Sequence, residues 1–447
     1  MRYSSIRRVC IALLCMSVLL LVMAVAVRIQ SEQTSEPAPV YEEQKLEPVA
    51  EPDIPENVEP DIPENIEPVV PEATEPDAKE AEIQEEDGDE AAAEVAENDM
   101  SDEVEKILSE MTLEEKIYQM FVLNPEQLTG VGQVTSAGER TRSSLEKYPV
   151  GGILYFGPNI QNPEQTKNML AAVRDYGMEI EGLPLFLCVD EEGGRIARIA
   201  GNPSFSVQKT KPMAQIADAE EAYEAGNVIG SYLSELGFNV DFAPDSDVLT
   251  NPDNAVIGDR SFGSDAGVVA EYSGKYLEGL HNNEVLGVYK HFPGHGATSG
   301  DTHTGFAGTD KTLEEMMEVE LLPFSKAQSD GADMVMVSHI SVPEILGDNT
   351  PCSLSHYMIT DVLRNMLGYE GLIITDAMNM SAITANYTNE EAAVLAVNAG
   401  VDLILTPGDF KVYHAVILKK VMDGEISEER IDDSVRRIIS KKIAAAS

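Results

Sequence analysis

The feature that most constrains the fold is a pattern that repeats along residues 101–447. A short apolar run is followed by a loop rich in Gly, Pro and Asp and then by an amphipathic stretch. The apolar runs predict eight strands, at Tyr118–Asn124, Gly151–Phe156, Pro184–Asp190, Asn239–Pro244, Gly287–Phe292, Met334–Ile340, Gly371–Asp376 and Asp402–Pro407. Continuous apolar strands that alternate with helices are typical of a parallel sheet covered on both faces.

Amphipathic patterns predict helices between these strands. Examples lie at Pro163–Tyr176, Asp218–Leu236, Asp265–Asn283, Leu313–Ser329, Ser355–Leu367 and Glu390–Ala399. Asp218 and Asp265 are suitable N-cap residues, and Gly237 and Gly400 suit helix C-termini. Eight strand–helix units predict an α/β fold, a single (β/α)₈ TIM-type barrel, rather than an open doubly wound sheet. No G-x-G-x-x-G sequence follows a strand, which argues against dinucleotide binding.

The first 30 residues carry a membrane-targeting pattern. Arginines precede an uncharged, largely apolar run from Val9 to Val27, and Arg28 follows it. A helix of these nineteen residues would span roughly 28 Å, about one hydrocarbon core. Residues 1–30 therefore predict a signal-anchor with the rest of the chain outside. The alternative is a cleaved signal peptide, because Ala24–Ala26 offers a small-x-small cleavage site. Both predict export.

Residues 31–100 predict a disordered linker. They contain 25 acidic and 2 basic residues, ten prolines, and the octapeptide EPDIPENV followed by EPDIPENI. Such a segment buries too little apolar surface to offset its ordering entropy. We interpret it as a spacer between the membrane and the barrel domain. The whole chain has a net charge of −47, which excludes nucleic acid as a partner because phosphate binding needs clustered Lys and Arg.

Polar residues cluster where the predicted strands end. The segments that follow strands three to seven read DEEGGRIAR, DFAPDSD, KHFPGHGATSGDTHTG, VSHI and ITDAMNM. Four of the seven histidines fall there, namely His291, His295, His303 and His339. Because the carboxyl ends of barrel strands carry the chemistry in this architecture, these side chains predict one shared pocket.

Two groups of residues in these segments predict catalytic chemistry. Asp376 ends an apolar strand, where a carboxylate is costly unless it is used or paired, and it fits a carboxylate nucleophile; a helix-capping role is the alternative. Asp301 and His303 lie two residues apart in a glycine-rich loop. The carboxylate could orient the imidazole and favour its protonated form, giving a group that donates and then recovers a proton. The alternative is an incidental surface histidine.

A ring of donors and acceptors at the strand ends suits a polyhydroxylated ligand. It consists of Asp190, Arg260, Lys290 and His291. His295 and His339 are interpreted as supporting or structural residues. The residues predict no metal, no cofactor and no protein partner.

These segments resemble those of family 3 glycoside hydrolases, specifically the bacterial β-N-acetylglucosaminidases of the NagZ type. The resemblance covers essentially all of 101–447. It rests on KHFPGHG with the D-x-H dyad Asp301–His303, on VDEEGGRIAR, on FAP and GDRSF, and on TDAMNM. Glu191 stands where the family commonly has Gln, and Thr302 where Ser is common.

The resemblance implies a role for each matching residue. Asp376 would be the nucleophile that forms a covalent glycosyl–enzyme, and His303 the general acid/base, assisted by Asp301. Substrate binding would fall to Asp190, Arg198, Arg260, Lys290 and His291. The implied activity is that of a retaining exo-β-N-acetylglucosaminidase acting on terminal GlcNAc of peptidoglycan fragments or related glycans, at the outer face of a bacterial membrane or in the cell wall.

Other functions stay open at this point. A GlcNAc phosphorylase of the same family would transfer the sugar to phosphate, which an imidazole does not repel as a carboxylate would. A β-glucosidase is less favoured, because many such enzymes take their acid/base from a second domain for which the chain leaves no room. A metal-dependent amidohydrolase barrel is also less favoured, because the first strand lacks an H-x-H pair. A non-catalytic wall-binding module would not need the dyad and the nucleophile.

Overall fold

The computed structural model describes residues 100–303 and 305–445. Within them, a parallel sheet is built from eight strands in the order β10-β1-β2-β3-β6-β7-β8-β9. Its strands are β1 (Phe121–Leu123), β2 (Gly152–Leu154), β3 (Phe186–Val189), β6 (Val240–Asp241), β7 (Leu286–Phe292), β8 (Met334–Val337), β9 (Leu372–Thr375) and β10 (Ile404–Leu405). A separate antiparallel hairpin of β4 (Glu191–Gly193) and β5 (Ile196–Ala197) follows β3.

The two edge strands of this sheet approach each other. Ile374 and Leu403 form an isolated parallel bridge between β9 and the residue preceding β10. The Thr375 amide donates to the Leu403 carbonyl at 3.0 Å, and the Asp402 amide to the Ile373 carbonyl at 2.8 Å. The fold is therefore an α/β fold with a nearly closed parallel barrel, as the alternating pattern predicted.

Helices connect and cover the strands. Residues 100–110 are helical. The other α-helices are Leu113–Gln119, Pro125–Thr129, Glu139–Lys147, Pro163–Glu181, Ala219–Leu236, Ala266–His281, Leu313–Glu318, Leu322–Lys326, Pro343–Leu346, Ser381–Thr384, Asn389–Ala399, Phe410–Met422 and Glu428–Ala444, and Tyr357–Met366 is a π-helical segment. As predicted, Asp218 and Asp265 are N-caps, and Gly237 and Gly400 end their helices with left-handed φ angles of 100° and 110°.

Several predicted boundaries were wrong. The helix predicted to end at Tyr176 continues to Glu181. Gly177 does not end the helix; it leaves room for the side chain of Leu185, which packs closely against it. The helix predicted at Leu313–Ser329 breaks after Glu318. Pro323 has no N–H to donate to the carbonyl four residues earlier, and its ring would clash with it. Tyr118 and Gln119 end a helix rather than begin β1.

Seven of the eight strands are shorter than their predicted apolar runs, whereas β7 begins one residue earlier than predicted, and the strands are buried. All seven residues of β7 are buried, and so are all four residues of each of the strands β3, β8 and β9. Their carboxyl ends share one end of the barrel. No helix in residues 100–303 and 305–445 is long and apolar enough to cross a membrane. The predicted anchor and linker, residues 1–30 and 31–100, lie outside the described residues except for Met100.

Candidate active site

A cavity of about 640 Å³ lies at the carboxyl ends of the barrel strands. Asp190 directly follows β3, Lys290 and His291 belong to β7, and Asp376 directly follows β9. The cavity lining includes all eight predicted site residues: Asp190, Arg198, Arg260, Lys290, His291, Asp301, His303 and Asp376. Apolar side chains from the strands, such as Leu154, Met336 and Leu405, complete it. The structure thus brings together residues that are up to 186 positions apart in the chain.

Six side chains of alternating charge form one connected series, which we call the ion-pair chain. In order it consists of Arg198, Asp190, Lys290, Glu192, Arg260 and Asp245. The successive nitrogen–oxygen distances are 3.7, 3.3, 2.6, 2.8 and 3.3 Å. Because each interior member touches an opposite charge on both sides, the cost of removing these charges from water is offset within the chain.

Glu192 is the central link of the ion-pair chain, and it was not among the site residues predicted from the sequence. Its carboxylate receives Arg260 Nε and Nη2, each at 2.8 Å, and Lys290 Nζ at 2.6 Å. Burial raises the pKa of Glu192, but the two cations outweigh burial, so that its pKa is lowered. Burial lowers the pKa of Lys290, and Glu192 and Asp190 more than compensate, so that its pKa is raised. All three groups are therefore charged at neutral pH.

A signal for Glu192 was present in the sequence. It lies two residues after Asp190, and alternate residues of an extended segment face the same side. Asp190 and Glu192 therefore reach the same lysine. Arg195, which the sequence analysis also missed, lines the cavity and donates from Nη2 to the carbonyls of residues 255–257 at 3.0, 2.8 and 3.0 Å. It thereby holds the loop that carries Arg260.

His291 is held as a neutral ring between Asp247 and Arg260. Its Nδ1 lies 2.7 Å from Asp247 Oδ2, and its Nε2 lies 3.3 Å from Arg260 Nη2. Because the guanidinium can only donate, Nε2 accepts and the ring proton lies on Nδ1. Burial and the Arg260 charge lower the pKa of His291 to about 4. Burial and the neighbouring Asp247 raise the pKa of Asp245 to about 7.

Asp245, Asp247 and His291 are also a group whose ligand atoms lie close enough to hold a metal ion, within 4.8 Å of one another. The Arg260 guanidinium, however, lies 3.3 Å from both Asp245 Oδ2 and His291 Nε2. A fixed cation at that place supplies the positive charge that the carboxylates need and would repel a metal ion. The arrangement therefore favours a hydrogen-bonded cluster that positions His291 and Arg260 over a metal centre.

The Asp301–His303 dyad lies on a loop closed at its base, which we call the flap and define as residues 299–308, with Thr304 outside the described residues. Ser299 and Gly308 exchange two backbone hydrogen bonds, at 3.1 and 3.2 Å. Asp301 Oδ1 receives His303 Nδ1 at 2.8 Å and the His303 amide at 2.9 Å. The Ala382 amide donates to the Thr302 carbonyl at 3.2 Å, which links the flap tip to the segment after Asp376.

The dyad is well placed for proton transfer. The His303 side chain is 64% exposed, whereas its Nδ1 is held by Asp301, so Nε2 is available to a ligand in the cavity. Burial raises the pKa of Asp301, but the hydrogen bonds from His303 outweigh it, so that the pKa is lowered. Asp301 is therefore an anion that orients the imidazole.

Asp376 is an ionised carboxylate that accepts a hydrogen bond from the backbone amide of the next residue. The Ala377 amide donates to Asp376 Oδ1 at 2.7 Å. Burial raises its pKa, but the positive charges that His339 and His291 would carry in acid and this hydrogen bond lower it further than burial raises it. Buried His339 has Nδ1 2.7 Å from Ser353 Oγ and Nε2 3.0 Å from the Ala377 carbonyl. Since only Nε2–H can donate to that carbonyl, His339 fixes the peptide that follows Asp376.

The two remaining histidines of the strand ends are supporting residues, as interpreted from the sequence. Neither His295 nor His339 lines the cavity. His295 Nε2 lies 3.4 Å from Thr302 Oγ1, and its backbone amide donates to Asp247. His295 therefore connects the end of β7 to the flap and to the carboxylate that holds His291.

Residues 112–441 match the family described as "Glycosyl hydrolase family 3 N terminal domain". The chain is 32% identical to β-hexosaminidase A of Pseudoalteromonas piscicida over 67% of its own length and 54% of that protein. It is 35% identical to β-hexosaminidase LpqI of Mycobacterium tuberculosis over 58% of its own length and 68% of that protein. The chain thus spans only about half of the first relative.

A solved structure gives the same relationship. The family 3 β-N-acetylglucosaminidase of Paenibacillus sp. str. FPU-7 superposes with a TM-score of 0.70 at 36% identity, covering 75% of this chain and 63% of that one. The match to the family extends over nearly all described residues and includes every side chain of the cavity named above. This chain belongs to glycoside hydrolase family 3.

Proposed function

We propose that the protein is a retaining exo-β-N-acetylglucosaminidase that removes terminal β-linked GlcNAc from glycans such as peptidoglycan fragments. The observation that carries the proposal is that one cavity is lined by an ionised carboxylate, Asp376, and by an imidazole that a second carboxylate orients, His303 with Asp301. These are the nucleophile and the proton carrier that a two-step glycosyl transfer needs. The relatives named β-hexosaminidase and β-N-acetylglucosaminidase support the choice of sugar.

In the first step, an Asp376 oxygen attacks the anomeric carbon as its bond to the leaving oxygen breaks. His303 gives its Nε2 proton to that oxygen, and the electron pair of the broken bond leaves with the aglycone. In the second step, neutral His303 takes a proton from water as the water oxygen attacks the anomeric carbon and displaces Asp376. Two inversions give net retention, and His303 ends in its starting protonation state.

The ion-pair chain would bind the sugar. Its members that line the cavity offer Lys290 and the arginines as donors and Asp190 as an acceptor to a ligand. Charged partners form hydrogen bonds to hydroxyl groups that are stronger than those of neutral partners. Because the ion-pair chain is already formed in the free protein, binding of the sugar would cost little side-chain entropy.

The proposal predicts that the full chain releases p-nitrophenol from its aryl β-GlcNAc glycoside and cleaves the β-glucoside much more slowly. Asp376→Asn should lower kcat at least about 10³-fold, because the covalent route is lost. The matched control His356→Gln, which changes an exposed histidine, should leave kcat unchanged. Melting temperatures of all variants check that they fold.

Trapping with an activated 2-acetamido fluorosugar identifies the nucleophile. Peptide mass spectrometry should place the label on Asp376. Cleavage of the β-glucoside but not of the β-GlcNAc glycoside, or a label on another carboxylate, would refute the proposal. Turnover that requires phosphate and yields GlcNAc-1-phosphate would instead support the phosphorylase, to which the imidazole acid/base is also suited.

We also propose that the enzyme is exported and held outside a bacterial membrane. The Val9–Val27 run would serve as the anchor, and the acidic Pro-rich residues 31–100 as a spacer. Mass analysis of the N-terminus of the protein from its native host distinguishes a retained anchor from a signal peptide cleaved after Ala26. A full-length chain found in the cytosol would refute this part of the proposal.

A further inference from the structure

Glu192 is the nearest counter-charge of two cations at once. It lies 2.8 Å from Arg260 and 2.6 Å from Lys290, and its side chain is only 2% exposed. Each cation has one other carboxylate partner, and both are farther away: Asp245 at 3.3 Å from Arg260 and Asp190 at 3.3 Å from Lys290. Asp190 is shared with Arg198, at 3.7 Å. The charge balance at the centre of the ion-pair chain thus depends mainly on Glu192.

Two adjacent cations at the wall of a cavity would ordinarily attract an anion. Two unit charges a few ångström apart interact strongly where water is largely excluded. Arginine and lysine are also the residues that proteins use to bind phosphate, sulfate and carboxylate groups. In this cavity the carboxylate of Glu192 contacts both cations and so takes the place that a bound anion would otherwise occupy.

We propose that Glu192 is a specificity-determining residue that makes the cavity select uncharged, hydroxyl-bearing ligands over anionic ones. The proposal rests on the proposed function, because it concerns the cavity that would bind GlcNAc. With Glu192 in place, three basic and three acidic side chains alternate along the ion-pair chain. Without its charge, Arg260 and Lys290 would present an excess positive charge to the ligand.

The test compares a neutral and an anionic probe on the full-length protein. GlcNAc and sodium sulfate are measured as competitive inhibitors of aryl β-GlcNAc hydrolysis, with ionic strength held constant by chloride. Sulfate is chosen because, unlike phosphate, it is not an acceptor for the sugar. Wild type should bind GlcNAc and respond weakly to sulfate. Glu192→Gln should lower the inhibition constant for sulfate at least about tenfold without the same gain for GlcNAc.

Three further variants separate charge from structure. Glu192→Asp keeps the charge and should retain the selectivity of the wild type, even where affinity for both probes falls. The double variant Glu192→Gln/Lys290→Gln restores the charge balance with groups of similar volume and should lose the sulfate sensitivity. Asp402→Asn removes another buried carboxylate with arginine partners, beyond the cavity lining, and should change neither inhibition constant.

The outcomes are distinct. If Glu192→Gln weakens both probes equally, so that their ratio stays within about twofold of wild type, Glu192 is merely structural and the proposal is overturned. Strong competitive inhibition of the wild type by sulfate would overturn it without any variant. If the wild type has no glycosidase activity, the proposed function fails. Calorimetric titration with the same two probes then still tests the selectivity.

Discussion

The ring of His291 carries no charge at neutral pH although charged groups surround it. Arg260 and Asp247 lie within hydrogen-bonding distance, and Lys290 precedes it in the chain. Burial and the nearby cations lower its pKa to about 4, whereas its pKa in an unfolded chain is near 6.5. His291 is thus a neutral hydrogen-bonding group in the cavity wall, which agrees with the predicted place of His291 in a ring of donors and acceptors.

This shift predicts a pH-dependent stability. Between about pH 6.5 and about pH 4, His291 binds a proton in the unfolded chain but not in the folded protein. Acid therefore favours unfolding. Relative to His291→Gln, wild type should lose up to about 3 kcal/mol of unfolding free energy as the pH falls through this window. Asp245, whose pKa is raised to about 7, acts in the opposite direction.

Chemical denaturation of wild type and His291→Gln at pH 7, 5.5 and 4.5 gives the difference directly. Asp245 is present in both proteins, and because His291 also acts on the pKa of Asp245, the difference reports the imidazole together with its coupling to that carboxyl. The matched control is His356→Gln, at an exposed position, which should follow the wild-type curve far more closely. A constant difference between wild type and His291→Gln at all three pH values would contradict the assignment of a neutral His291.

At the scale of elements, the flap is a hairpin-like loop that hydrogen bonds fix at its base. Its base is paired at Ser299 and Gly308, and the Ser341 amide after β8 donates to the Ala307 carbonyl at 2.9 Å. Gly300 opens the tip with a φ of 96°. A Cβ at this position would also lie 2.7 Å from the Phe306 carbonyl oxygen. The conformation that presents His303 therefore requires glycine at this position.

Gly300→Ala should misplace the dyad while the barrel stays folded. The strain of a side chain in this region costs about 1–3 kcal/mol, and every 1.4 kcal/mol that reaches the barrier lowers the rate about tenfold. We expect kcat to fall about tenfold or more, measured with the aryl glycoside. Gly305→Ala is the matched control, because a Cβ there meets nothing within 4 Å. Equal activity of the two variants would show that the flap tolerates rearrangement.

At the scale of the whole molecule, the barrel closes at a seam where β9 and β10 meet. Asp402 stabilises this seam from the end of the barrel opposite the cavity. Its Oδ2 receives the Ile373 amide at 2.9 Å and Arg364, and its Oδ1 receives Ser434 Oγ at 2.7 Å and Arg437 at 2.9 Å. One carboxylate thus connects β9, the π-helical segment Tyr357–Met366 and the C-terminal helix Glu428–Ala444.

Asp402→Asn should destabilise the protein by about 3–5 kcal/mol, because it removes a fully buried charge and leaves the partly buried Arg364 and Arg437 without their counter-charge. The measurement is the free energy of unfolding in urea, together with kcat of the folded protein, which should be unchanged. Asp423→Asn removes only an exposed pair with Lys419 and should cost less than about 1 kcal/mol. Equal destabilisation by the two substitutions would contradict the role of Asp402 at the seam.

The positions of all eight barrel strands could be predicted from the sequence, and so could the eight predicted residues that line the cavity. Both follow from local rules: an apolar run long enough for a buried strand, and polar residues placed directly after it. The roles of Asp376, His303 and Asp301 rested on the resemblance and on their residue types. Helix ends were less predictable, because Gly177 is used for packing and not for termination.

The amino-acid sequence is enough to predict which segments become strands and which side chains stand at their ends, since both depend on residues close together in the chain. The contacts of Glu192 with Arg260, 68 residues away, and with Lys290, and the joining of three elements by Asp402, follow from the folded barrel alone. Such pairings depend on strand register and on closure of the barrel. Without the strand register and the closure of the barrel, the sequence does not show which of many cations a given carboxylate contacts.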